Sequence, residues 1–139
     1  MSTTSNKPNA LFYVIGVIAL IWNGLGVIAY LTRAFITDEM IAQLPKEQQA
    51  EFLIEYPAWF TAAFATAVFA GVLASIVFLL KKKLSFMLFA ISAVAAIAQH
   101  VYLFMNVEMN SLVMPILVIV VCIFLVWYSK KVTNDGWLS

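Results

Sequence analysis

Charge is what this chain has least of. Of 139 residues, 8 are Lys or Arg and 7 are Asp or Glu, 11% in all, against roughly a quarter in a soluble domain. So few charges cannot clothe a water-soluble globule. The net charge of +1 supports no nucleic-acid partner. Cysteine is reduced to Cys122 alone, which excludes an intrachain disulfide framework, a Cys-x-x-Cys couple and a cysteine-rich metal site. Histidine is reduced to His100, so one chain cannot supply bis-histidine haem ligation, and no metal-ligand set is in view. No Lys, Asp or Glu interrupts the long apolar runs. That removes the embedded carboxylate of a proton-coupled cation exporter and the lysine of a retinal Schiff base. No cofactor and no metal are expected.

What is abundant is apolar sequence, 64% of the chain. Four runs stand out, at about 10–32, 58–80, 84–105 and 111–128. Helices of such length, at about 1.5 Å per residue, reach across about 30 Å of hydrocarbon. The expectation is an all-α membrane protein, a four-transmembrane-helix bundle with a short helical extracytoplasmic loop, forming a single domain over 1–139. The first run exceeds a signal peptide's apolar core of about 7–15 residues, and Ile28-Ala29-Tyr30 is a poor cleavage site, so it reads as a retained span. The fourth, a near-continuous run of Val, Ile and Leu, is expected to be the shortest span and a lipid-facing wall. No internal repeat is visible, which gives an inverted-repeat transporter no support.

Basic residues set the orientation. Lys7, Lys81, Lys82, Lys83, Lys130 and Lys131 fall on one side of a four-span layout. Arg33 and Lys46 share the other with Asp38, Glu39, Glu47, Glu51, Glu55 and Glu108. The positive-inside rule then puts both termini in the cytoplasm of a bacterial inner membrane. In the outer loop 33–57, Thr37 is expected to cap a short helix carrying Asp38 and Glu39 in its first turn. Pro45 suits the first turn of a second helix reaching about Glu55.

The stretch Ile21-Trp22-Asn23-Gly24-Leu25-Gly26 places an indole, a carboxamide and two glycines inside the first span. On one face of that span lie Gly16, Ala19, Asn23, Gly26 and Tyr30. The second span repeats small residues every four, as Ala63, Ala67, Gly71, Ser75 and as Ala62, Thr66, Ala70, Ala74. This spacing lets helix backbones approach closely and predicts a central helix. The third span carries a polar stripe, Ser85, Ser92, Gln99 and Asn106. His100 is turned about 100° from Gln99, so only one of the two is expected to sit squarely in a given seam. Counted inward from the span ends, Asn23, Thr66, Gln99 and His100 fall at about 20–24 Å, in one layer beside Trp22. Two accounts of that layer stay open. It is a set of interhelical hydrogen bonds worth roughly 0.6–2 kcal/mol each, or a polar pocket open to the outer side with Trp22 as its wall.

Leu20-Ile21-Trp22-Asn23, Thr37-Asp38-Glu39-Met40, Leu44-Pro45, Tyr56-Pro57-Ala58-Trp59 and Val126-Trp127-Tyr128-Ser129-Lys130-Lys131 resemble a family of small bacterial four-span membrane proteins. Many of them carry the label "sugar transporter". The layout is also similar to that of DoxX-like proteins, at the level of architecture.

The leading expectation is a small inner-membrane carrier or permease-like protein for a small neutral solute, a sugar among the candidates. Trp22, Asn23, Thr66, Gln99 and His100 would bind it. One four-helix bundle is slender, so a homodimer would widen the path. The alternative is an accessory or structural subunit of a larger membrane complex with no transport of its own. A redox or lipid-modifying enzyme using His100 is the weaker third reading.

Overall fold

The computed structural model describes residues 7–107 and 112–139. Glu108 and Ser111, used above for the outer charge count and the fourth span, lie outside them. Six α-helices follow one another: α1 (Ala10–Phe35), α2 (Asp38–Ala42), α3 (Lys46–Leu53), α4 (Ala58–Leu79), α5 (Leu84–Asn106) and α6 (Val113–Asn134). Among the described residues, α1, α4, α5 and α6 are long and apolar enough to cross a membrane. The chain is therefore an all-α, multi-pass membrane bundle.

Local chemistry sets the helix ends. The Asn9 side chain accepts a hydrogen bond from the Phe12 N–H at 3.0 Å and opens α1, and Thr37 Oγ1 does the same for Met40 in α2. Each cap satisfies one of the backbone donors a helix start leaves free. Pro45 and Pro57 are the residues before α3 and α4. The α4–α5 turn needs a left-handed backbone at Lys81, φ 64°. α6 runs past the expected end at Tyr128 to Asn134. The polar stretch Ser129–Asn134 stays helical because its inward residues have partners: Val132 is fully buried and Thr133 Oγ1 bonds Ser129 O.

The helices pack in chain order. α4 packs against both α1 and α5, and α5 against α6; α1 and α6 scarcely meet. As expected, α4 is central. Ala67, Ala70, Gly71, Ala74 and Ser75 are buried on it, whereas Ala62 and Thr66 are exposed. α1 and α6 form the flanks.

The end of the bundle that carries the termini is solid. Phe12, Phe78, Phe89, Leu125, Tyr128, Val132 and Leu138 form one buried cluster, with Phe12 stacked on Phe78 at 4.2 Å between ring centroids. The segment after α6 folds back. Trp137 meets Phe12 edge-on at 6.0 Å. Backbone bonds join Lys83 N to Ser139 O and Ser139 N to Lys81 O.

At the opposite end rings cluster between α4 and α5. Tyr56 stacks on Phe60 at 4.1 Å, and Tyr102 meets both Phe60 and Trp59 at 5.4 Å. Arg33 secures the loop there. Its guanidinium donates to Glu51 O at 3.0 Å and Ile54 O at 2.8 Å and lies 4.7 Å from the Tyr56 ring centroid, a cation–π contact.

Candidate ligand cavity

Between the terminal cluster and these rings the bundle is hollow. A cavity of about 420 Å³ lies among all four long helices, within the roughly 300–1,000 Å³ range of small-molecule sites. α1 contributes Trp22, Asn23, Leu25, Gly26 and Ala29; α4 contributes Phe64, Ala67 and Val68. α5 contributes Ser92, Ala96, Gln99 and His100; α6 contributes Met114, Val118 and Cys122. The hexapeptide of α1 thus faces the polar stripe of α5, as the depth count suggested.

Small residues line the hollow: Ala67 of α4 and Ala96 of α5 present only methyl groups to it, while Gly26 lets α1 approach Val68 of α4 closely. The two wall helices that would close it, α1 and α6, are joined by no connection of their own and scarcely touch. The rim residues Leu25 and Met114 are both 59% exposed. The rim thus runs from the flank of α1 at Leu25 to the outer end of α6, where Met114 stands in the first turn.

Four of the five residues singled out in the sequence line this space: Trp22, Asn23, Gln99 and His100. Thr66 does not. It is exposed on another face of α4, with its hydroxyl donating to Ala62 O in its own helix at 2.8 Å. Equal depth brought it into the layer, but its angle around the helix takes it out. Gln99 and His100, expected to compete for one seam, are both buried and both line the cavity. The space is wide enough to receive residues 100° apart on the helix.

The hydrogen bonds bear directly on the two accounts of the layer. Asn23 Nδ2 donates to Ala19 O at 2.9 Å, inside α1. His100 Nδ1 lies 2.7 Å from Ala96 O, inside α5. A carbonyl only accepts, so Nδ1 carries the proton there, and Nε2 is left as the acceptor of the uncharged ring. Gln99 is 8% exposed and has no hydrogen-bond partner among the described residues. None of these side chains bonds across to another helix. The one interhelical side-chain bond at this level belongs to Ser92, whose Oγ donates to Ala67 O at 2.6 Å. Asn23 and His100 are thus held by their own helices, Ser92 ties α5 to α4, and Gln99 has no bond among the described residues and lines the cavity.

Asn23 is also held sterically. Its carboxamide occupies the place a Cβ would take at Gly71, so the glycine of α4 is the notch that receives it. Ser92, Cys122 and Phe64 were not singled out as binding residues; the polar stripe of α5 already contained the signal for Ser92. Among the described residues no group of three or more His, Cys, Asp or Glu could hold a metal ion. Compared with protein-family models, curated proteins and solved structures, the chain matches none.

Proposed function

We propose that the protein is a small carrier or permease-like protein. It holds a small neutral solute in the intramembrane cavity and resides in a bacterial inner membrane with both termini cytoplasmic. The observation that carries this reading is Gln99. A buried carboxamide without partners costs roughly 1–3 kcal/mol, and polar groups inside a membrane are functional candidates. Gln99 offers both a donor and an acceptor at the cavity wall. His100 Nε2 adds an acceptor beside it.

The walls narrow the solute. Among the described lining residues none is charged, which favours an uncharged molecule. Most of the lining is aliphatic or aromatic. A sugar would leave several hydroxyls against those walls, each at a cost of roughly 1–3 kcal/mol. A molecule with one or two polar groups fits better. The Lys-rich helix ends and the acidic outer loop support the orientation.

Uptake of radiolabelled neutral solutes into proteoliposomes tests the reading. Wild-type vesicles are expected to exceed empty ones for at least one solute of this kind. Asn23→Leu, with unchanged helical content, is expected to fall to the empty-vesicle level. Uptake equal to empty vesicles for every solute, with stoichiometric co-purification of another membrane protein, would establish the accessory-subunit alternative instead.

A further inference from the structure

A second cavity, of about 240 Å³, adjoins the first on its terminal side. Ile15, Ile18, Ala19 and Trp22 of α1 form one wall, and Val121, Phe124 and Leu125 of α6 the other. Trp22 belongs to both cavities. The indole is therefore the partition between two cavities that lie end to end along the seam between α1 and α6. From Ile15 to Ala29 the α1 wall is about 21 Å long, most of the ~30 Å hydrocarbon thickness. Its two parts differ in chemistry. The terminal part has no polar side chain, whereas the other holds the unpaired Gln99, nine-tenths buried, with His100 and Asn23.

A compact polar solute uses only the second part. A molecule matching both has an apolar chain and an uncharged hydrogen-bonding head. Such a molecule dissolves in the bilayer, and the open flank meets the bilayer directly. We infer that the α1–α6 seam is a lateral portal. It admits a neutral single-chain amphiphile, of the long-chain alcohol class, from the lipid. The head hydroxyl lies against Gln99 and His100, and the chain lies along Trp22, Ile18 and Val121. This rests on the carrier reading and specifies its substrate class. The head hydroxyl donates a hydrogen bond to His100 Nε2 and accepts one from the Gln99 amide N–H, so both the head group and the amide donor are satisfied.

The test uses purified protein in phosphatidylcholine nanodiscs and a mid-chain diazirine analogue of hexadecan-1-ol. Illumination is expected to place adducts on the seam residues of α1 and α6. Excess hexadecan-1-ol should remove them, and excess hexadecane or palmitate should not, because the first lacks a head and the second is charged. Val121→Trp and, independently, Ile18→Trp are expected to cut seam labelling about tenfold by filling the chain part. Gln99→Leu is expected to abolish the advantage of the alcohol over hexadecane. Adducts spread evenly over the lipid-facing surface, or equal competition by hexadecane, overturn the inference. A two-chain assembly with no seam adducts does so too, by showing that a second copy covers the cleft. If labelling fails while Asn23-dependent uptake of short solutes persists, the portal falls and the carrier reading stands. If both fail, both fall.

Discussion

The two halves of the bundle are built from the same four helices and could hardly be packed more differently. Around Phe12, Phe78, Phe89 and Val132 large side chains fill the interior, and Phe12 and Val132 have no exposed surface. One helical turn further along α5, past Ser92, the interior is about 420 Å³ of space. Lipid supplies no hydrophobic drive for helices to associate, so association rests on packing contacts and a few hydrogen bonds. A bundle can then concentrate its cohesion in one half and leave the other hollow. Asn23, Gln99 and His100 line the hollow half, whereas the buried Ser75, Ser85 and Ser129 lie in the solid one, where Ser85 Oγ has no hydrogen-bond partner among the described residues.

The largest test of that contrast is Phe78→Ala. It removes a ring stacked on Phe12 and should cost about 3 kcal/mol or more, read by equilibrium unfolding in mixed micelles. A cost below 1 kcal/mol would mean the solid half is not where stability resides. Gly71→Ala comes next. Its Cβ collides with the Asn23 carboxamide and should destabilise by about 1–3 kcal/mol through overpacking. Gly24→Ala is the control, because nothing lies within 4 Å of its Cβ position. It should be neutral, or more stable by up to about 1 kcal/mol from helix propensity.

Gln99→Leu has the opposite sign. It removes an unpaired carboxamide and should stabilise the bundle by about 1 kcal/mol while eliminating solute binding. Loss of stability would place a partner on Gln99 within the protein and weaken the case for a ligand. The smallest effect is at the outer end. Burial raises the Tyr56 pKa, Arg33 opposes the shift, and Glu51 and Tyr102 add to it. The folded state then keeps the phenol proton to higher pH than the unfolded chain. Its contribution is intact below about pH 10 and is lost as pH climbs through the raised value. Proteolysis of the 33–57 loop should accelerate above pH 10 in the wild type and less so in Tyr56→Phe.

Much of this fold was legible before any coordinates. Run lengths and terminal residues located the spans, because a helix crossing lipid must be long and uncharged. The small-residue repeat identified α4 as central. What did not show was angle. Thr66 shares the depth of Asn23 but points away, and depth alone carries no rotation. The flank opening was also hidden, since it depends on α1 and α6 failing to meet, and no residue in either helix encodes a missing contact. The length of α6 was underestimated because Ser129, Lys130 and Lys131 look like an exit, yet Val132 behind them is buried.

The edge-on meeting of Phe12 and Trp137 also ties the start of α1 to the segment after α6, two parts of the chain far apart in sequence. At the other end of the same helix Tyr30 meets Phe64 and Phe69 of α4, and Arg33 bonds the outer loop. α1 is thus clamped at both ends, and the cavity beside Trp22 and Asn23 occupies the stretch between the clamps.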